Sequence, residues 1–294
     1  MVSLISPTGK TKILAPVRAN VGIEVEYRRR LDALIEDMHR SLLWWIGAAY
    51  KRNEPEIARL AADAGLFPER MAQEWHKNPA VAADDAPASA LLTVIRALSR
   101  RWQSKFDQAA ADLGNWFATT TLQRSDATLK HILRQSGFSV RFRMTRAAND
   151  AYRAVIGENV GLIRSIASQH LTQVEGLVVR SVQAGRDLGP LADELERQFG
   201  VTRRRAAHIA LDQNNKATAV ISRVRQQEIG ITEAIWLHSH GGREPRPSHV
   251  RAGRERQSYK IADGWYDPAE GKRIWPGELV NCRCVSRPVL PGMR

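Results

Sequence analysis

The side chains best suited to chemistry lie near the end of the chain. His238, His240 and His249 fall within twelve residues, and the chain's two cysteines, Cys282 and Cys284, follow. Asp263 and Asp267 lie between them. On a strand, residues i and i+2 share one face, so a Cys-x-Cys pair on a strand presents two sulfurs side by side. Two thiolates and two imidazoles are a common zinc set, which makes His238, His249, Cys282 and Cys284 the candidate zinc ligands. Two further readings stand beside it. The cysteines can be small buried hydrophobes, with histidines that only hydrogen-bond. They can also be a redox pair, although Cys-x-x-Cys is the usual redox spacing. Structural zinc knuckles mostly use Cys-x2–4-Cys, so the spacing here departs from the common form.

Catalysis is a separate reading. His238, His240, His249 and Asn281 could hold a metal that activates water against a phosphodiester, as a metal-dependent nuclease does. Against it, the sequence shows no paired-carboxylate spacing, no phosphate-binding P-loop and no glycine-rich dinucleotide motif. The expectation is a protein that is not an enzyme.

Charge suggests a partner. Lys and Arg number 44 against 31 Asp and Glu, a formal charge of +13. Such an excess fits a polyanion such as DNA; the alternative is a solvated basic surface. Arg96, Arg100, Arg101 and Lys105 fall on one face of a long helical pattern, opposite its apolar stripe. Arg203, Arg204 and Arg205 follow Thr202, which reads as a helix N-cap. That places three cations in a first turn, where the helix dipole disfavours them, and makes these seven residues the candidate DNA contacts.

These groups need elements to hold them. Residues 1–20 contain Pro7, Gly9 and Pro16 and read as an extended arm, either disordered or a strap that orders on a neighbouring subunit. Residues 21–144 form a helical region. Leu31, Leu34, Ile35, Met38, Leu42 and Trp45 make one amphipathic stripe. A short helix over 54–67 and a Pro/Ala/Asp connector over 78–90 follow, with a helix start near Asp85. The next pattern runs to Gly137, and "FSVRFRM" after it is a short strand or an extended link. Residues 145–230 are helical again. His170 there lies on an apolar face as a core histidine, "DLGPLADELERQFG" is bounded by Pro190 and Gly200, and Gly230 is the last stop. Residues 231–294 open with a β-rich run, Ile231 to Ser239, and continue through Gly/Pro-rich turns. The fold class is therefore α+β: a predominantly helical N-terminal region, then a small module of short strands and turns. No apolar run approaches the ~20 residues of a membrane span. The start of the chain lacks a secretory apolar region, so a reducing cytoplasm is expected.

The pieces, in order, resemble a known family. "LDQNNKA" (211–217), the Gly230-Ile231 turn, Trp236, "PRPSH" (245–249) and "PGELVNCRC" (276–284) are similar to motifs of the Mu-type minor head, or phage head morphogenesis, family. The resemblance covers residues 163–294 and is strongest from His208 onward; residues up to Gly161 resemble no family. It implies a virion protein of a tailed phage, few in copies, at the portal vertex or head interior, assembled in the host cytoplasm. The implied partners are the portal protein, a major capsid or scaffold protein, and DNA. It points to Trp236, Pro247, Asp263, Gly264, Pro276, Gly277 and Asn281 as structural motif residues beside the His/Cys cluster. Two departures from the family pattern are Gly242, where an Asp often stands, and Asp212-Gln213 in place of Thr-Glu.

Overall fold

A computed structural model describes residues 11–51, 87–184, 188–242 and 244–290. The expected helix over 54–67 and most of the connector before Pro87 lie outside the described residues. Four long helices carry most of the chain: α1 (Val21–Lys51), α2 (Pro87–Gln135), α3 (Arg146–Gln183) and α4 (Leu188–Glu228). A short helix, α5 (Pro247–Arg254), stands among the C-terminal strands. The α+β class read from the sequence is the class of the structure. No described helix is long and apolar enough to cross a membrane.

The chain divides into two compact units. One takes residues 28–112 and 160–207, the other 1–27, 113–159 and 208–294, so each long helix contributes a segment to both. The first is helical, and the expected stripes are its interior: Leu31, Ile35, Met38 and Leu42 of α1, Ile95, Leu98, Trp102 and Phe106 of α2. His170 of α3 is buried with them, and its Nδ1 stands 2.8 Å from Thr202 Oγ1.

Thr202 corrects one expectation. It is not an N-cap, because α4 runs unbroken from Leu188 through Gly200. Its hydroxyl donates back to Gln198 O at 3.0 Å within the helix. A threonine hydroxyl can also bond a preceding carbonyl in mid-helix. Arg203, Arg204 and Arg205 therefore sit in mid-helix, and the dipole argument about a first turn does not apply to them.

The second unit is built on a four-stranded antiparallel sheet in the order β1-β6-β2-β3, from β1 (Lys12–Ile13), β2 (Glu233–Leu237), β3 (Ser258–Lys260) and β6 (Val285–Leu290). A hairpin of β4 (Trp265–Asp267) and β5 (Lys272–Ile274) completes the strands. The described part of the N-terminal arm, residues 11–20, orders on its own chain. Lys12 and Ile13 pair with Leu290 and Val289, Leu14 N donates to Pro288 O at 2.8 Å, and Leu14 and Val17 are buried.

Two glycines end helices as the sequence suggests. Gly137 (φ 92°) and Gly230 (φ 81°) adopt the left-handed conformation. In each case the next residue's N–H reaches back to a carbonyl of the last turn: Phe138 to Leu133, and Ile231 to Gln226, both at 2.9 Å. "FSVRFRM" is the extended link, not a strand. Its Arg143 carbonyl accepts from Arg225 Nη1 at 2.7 Å, and Phe142 lies under the Arg225 guanidinium.

Candidate metal centre

β2 aims Ala234 and Trp236 into the core, and His238, just past its end, is buried too, while Glu233 stays exposed. Trp236 is the hub. Its ring lies 4.9 Å from His249 edge-on, 5.1 Å from Trp265 and 6.4 Å from Tyr259. Pro247 occupies the first turn of α5, where its fixed φ suits the start of a helix. α5 then carries Ser248 and His249 inward. Gly253, one turn beyond His249, lets α5 lie directly on β2: a β-carbon there would stand 2.4 Å from His238 Cβ.

The cysteines are not on a strand. They lie in the segment just before β6, where Cys282 N donates to Leu279 O at 2.9 Å and Asn281 is left-handed (φ 61°). The turn does what a strand was expected to do, and both sulfurs converge on one imidazole. Cys282 Sγ lies 3.5 Å and Cys284 Sγ 3.8 Å from His249 Nδ1. The ligand atoms of the three residues all lie within 4.8 Å of one another. They are closed from solvent, at 3%, 5% and 4% exposure for His249, Cys282 and Cys284. Arg283, between the cysteines, turns the other way and donates to Gly241 O at 2.7 Å.

Hydrogen bonding from Cys284 draws the Cys282 thiol below its usual range, helped by His249 and by the backbone N–H groups of Cys284 and Gly277. Cys284 is pushed up in turn by its hydrogen bond with Cys282 and by burial.

On the other edge of the imidazole, His249 Nε2 stands 3.4 Å from Asp267 Oδ2. Asp267 is fully buried and held by Ser248 Oγ at 3.0 Å and Ala269 N at 2.9 Å. The buried acid is thus Asp267; Asp263, the sequence candidate, is exposed in the turn before β4. Composition alone did not separate the two. The signal available was the strand period, which puts Trp265 and Asp267 on one side of β4.

His238 is not in the cluster. Its Nδ1 lies 3.4 Å from His240 Nδ1, and burial, then the neighbouring His240 and His249, lower its pKa. Asn281 offers its backbone rather than its side chain: its N–H donates to Asp212 Oδ1 at 2.6 Å. Asp212 also meets Lys216 Nζ at 3.1 Å, which ties "LDQNNKA" to the cysteine turn. Its neighbours in that motif are ties as well. Gln213 accepts from Asn159 Nδ2 at 3.0 Å, and Asn214 Nδ2 donates to Asn20 O at 2.9 Å. Gly264 and Gly277 (φ 76° and 85°) stand where backbone meets its neighbours closely, and Pro276 is buried beside them.

The candidate DNA contacts divide. Arg96 pairs with Glu175 at 3.0 Å, Arg203 with Asp32 at 3.4 Å, and Arg205 Nη2 donates to Ser165 Oγ at 3.0 Å. Lys105 lies over the Trp102 ring at 4.4 Å. Arg100, Arg101 and Arg204 are exposed and make no ion pair among the described residues.

No family model matches this chain, and no solved structure matches it. It is 29% identical over 200 residues to an uncharacterized protein of Haemophilus influenzae, across 67% of this chain and 43% of that protein. The chain thus spans less than half the length of that relative.

Proposed function

We propose that this chain is a structural minor head protein of tailed-phage type, acting at the portal vertex by binding rather than by turnover. One observation carries the reading. The motifs that resemble the head morphogenesis family lie far apart in sequence yet meet in one interior: His249 of "PRPSH" against both cysteines, Asn281 against Asp212 of "LDQNNKA", and Trp236 against His249. Residues with chemical potential thereby lie buried in the core of a module, which favours a role in holding strands and a helix together over one in turnover. The basic excess of +13 supports contact with packaged DNA, and the exposed Arg100, Arg101 and Arg204 are its surface donors.

The test is the protein composition of DNA-filled heads purified from a host that expresses this chain. The reading predicts the chain in the head fraction at a small fraction of the major capsid protein. Its absence from heads, with all of it in the soluble fraction, overturns the reading. The rival, a metal-dependent nuclease, predicts plasmid nicking with Mg²⁺ or Mn²⁺ that is lost in His249→Ala.

A further inference from the structure

We propose that His249 Nδ1, Cys282 Sγ and Cys284 Sγ bind one Zn²⁺ ion, and that Asp267 orients the histidine from behind. Geometry comes first. Zinc bonds of ~2.3 Å to sulfur and ~2.0–2.1 Å to imidazole nitrogen, at tetrahedral angles, put N and S about 3.5 Å apart. The two N–S separations here are 3.5 and 3.8 Å. The two nitrogen–sulfur separations thus match edges of a zinc tetrahedron, and the two sulfurs lie within 4.8 Å of each other; three corners come from protein and one is left for a fourth donor.

Donor chemistry comes second. Two thiolates and an imidazole suit a borderline-soft ion such as Zn²⁺ and not Mg²⁺ or Ca²⁺, which take oxygen.

The third observation is the carboxylate. A zinc-bound histidine commonly directs its other nitrogen at a carboxylate or carbonyl, which fixes the tautomer. His249 Nε2 faces Asp267 Oδ2 at 3.4 Å, an ion-pair distance short of a formed hydrogen bond, and has no other partner among the described residues. Asp267 is itself fixed by Ser248 and Ala269.

The step balances simply. Each thiol loses its proton to solvent and each sulfur gains a bond to zinc, while neutral His249 keeps its proton on Nε2, toward Asp267. No oxidant is involved. The ion joins α5 to the turn before β6, residues 33 and 35 apart in sequence. The centre is independent of the head-protein reading: either can fail alone.

The full chain, expressed in zinc-supplemented medium and purified without chelator, is analysed for metal and then exchanged with Co²⁺. The expected result is about one zinc per chain, with a near-ultraviolet sulfur-to-cobalt band and intense tetrahedral visible bands after exchange. Cys282→Ser and Cys284→Ser lose the stoichiometric metal, and Asp267→Asn keeps it with affinity lowered roughly 10–100-fold. A mercurial that titrates both thiols releases the zinc. Should the serine variants fail to fold, the cobalt spectrum and the thiol count of the unaltered chain decide. Metal far below one per chain with both thiols freely titratable, or a cobalt spectrum without the sulfur band, overturns the proposal.

Discussion

Replacing Gly253 by alanine sets two effects against each other at the contact that places His249. Gly253 lies inside α5, where alanine is the better helix former by about 1 kcal/mol. On propensity alone the variant is the more stable protein. The added methyl, however, would stand 2.4 Å from His238 Cβ and 2.9 Å from His238 N. Carbon atoms pack at ~3.5–4.0 Å, so the helix must retreat from β2 by about an ångström. The obstruction is backbone and Cβ, which no rotamer change removes. Overpacking of this kind costs ~1–3 kcal/mol, and more where the helix has other attachments. α5 has them in the contacts of His249 with Trp236, Cys282 and Cys284. The clash therefore offsets or outweighs the propensity gain, and a net loss of up to about 2 kcal/mol is expected from the two terms. Gly157 is the internal control. It lies exposed in α3 with nothing within 4 Å of its added β-carbon, so Gly157→Ala should gain ~0.5–1 kcal/mol. Urea unfolding followed by tryptophan fluorescence reads both variants side by side. If Gly253→Ala raises the midpoint as Gly157→Ala does, the close approach of α5 to β2 is wrong, and with it the placement of His249.

Other perturbations reach other links. Arg225 is buried with two contacts to Asp126 at 2.8 and 2.9 Å and one to Glu228 at 2.8 Å, so Arg225→Met strands two carboxylates. A loss of ~3 kcal/mol in the same urea assay is expected, and less than ~1 would mean that solvent screens the pair. Burial lowers the His170 pKa to about 4, so the unfolded chain takes up a proton there at higher pH than the folded one. This histidine is therefore neutral in stability above about pH 6.5 and increasingly destabilising from there down to about pH 4, by up to ~3 kcal/mol. His170→Gln should flatten that part of the stability–pH curve, and an unchanged curve would refute the assignment. Binding of duplex DNA should weaken steeply with salt. Arg100→Ser with Arg101→Ser should reduce the logarithmic slope by about 1 for each phosphate that is no longer neutralised. No binding at low salt removes DNA from the partners.

What the sequence reveals depends on how local the cause is. Gly137 and Gly230 are helix stops because their own φ angles and the next N–H close the last turn, and glycine announces that. The apolar stripe of α1 is visible for the same reason: period and burial coincide over Leu31, Ile35, Met38 and Leu42. Thr202 misleads because a hydroxyl signal is the same whether it caps an N-terminus or bonds Gln198 O in mid-helix. The arm's own destination on β6 is hidden, since the Lys12–Leu290 pairing joins residues at opposite ends of the chain. In the centre, Cys282, Cys284 and His249 are legible from residue type and spacing, though a turn at Asn281, not a strand, brings the sulfurs together. His238 and Asp267 exchange importance for one reason. Which histidine meets the sulfurs, and which acid backs it, is set by how α5 and β4 pack, and no periodicity encodes that.

The most direct measurement of the central claim, that this chain works by binding within a phage head, is a density map of the assembled head-to-tail vertex. The account predicts the chain's long helices and its C-terminal sheet resolved against portal subunits, with Arg100, Arg101 or Arg204 facing DNA. A vertex fully accounted for by other proteins, with this chain absent, would contradict it.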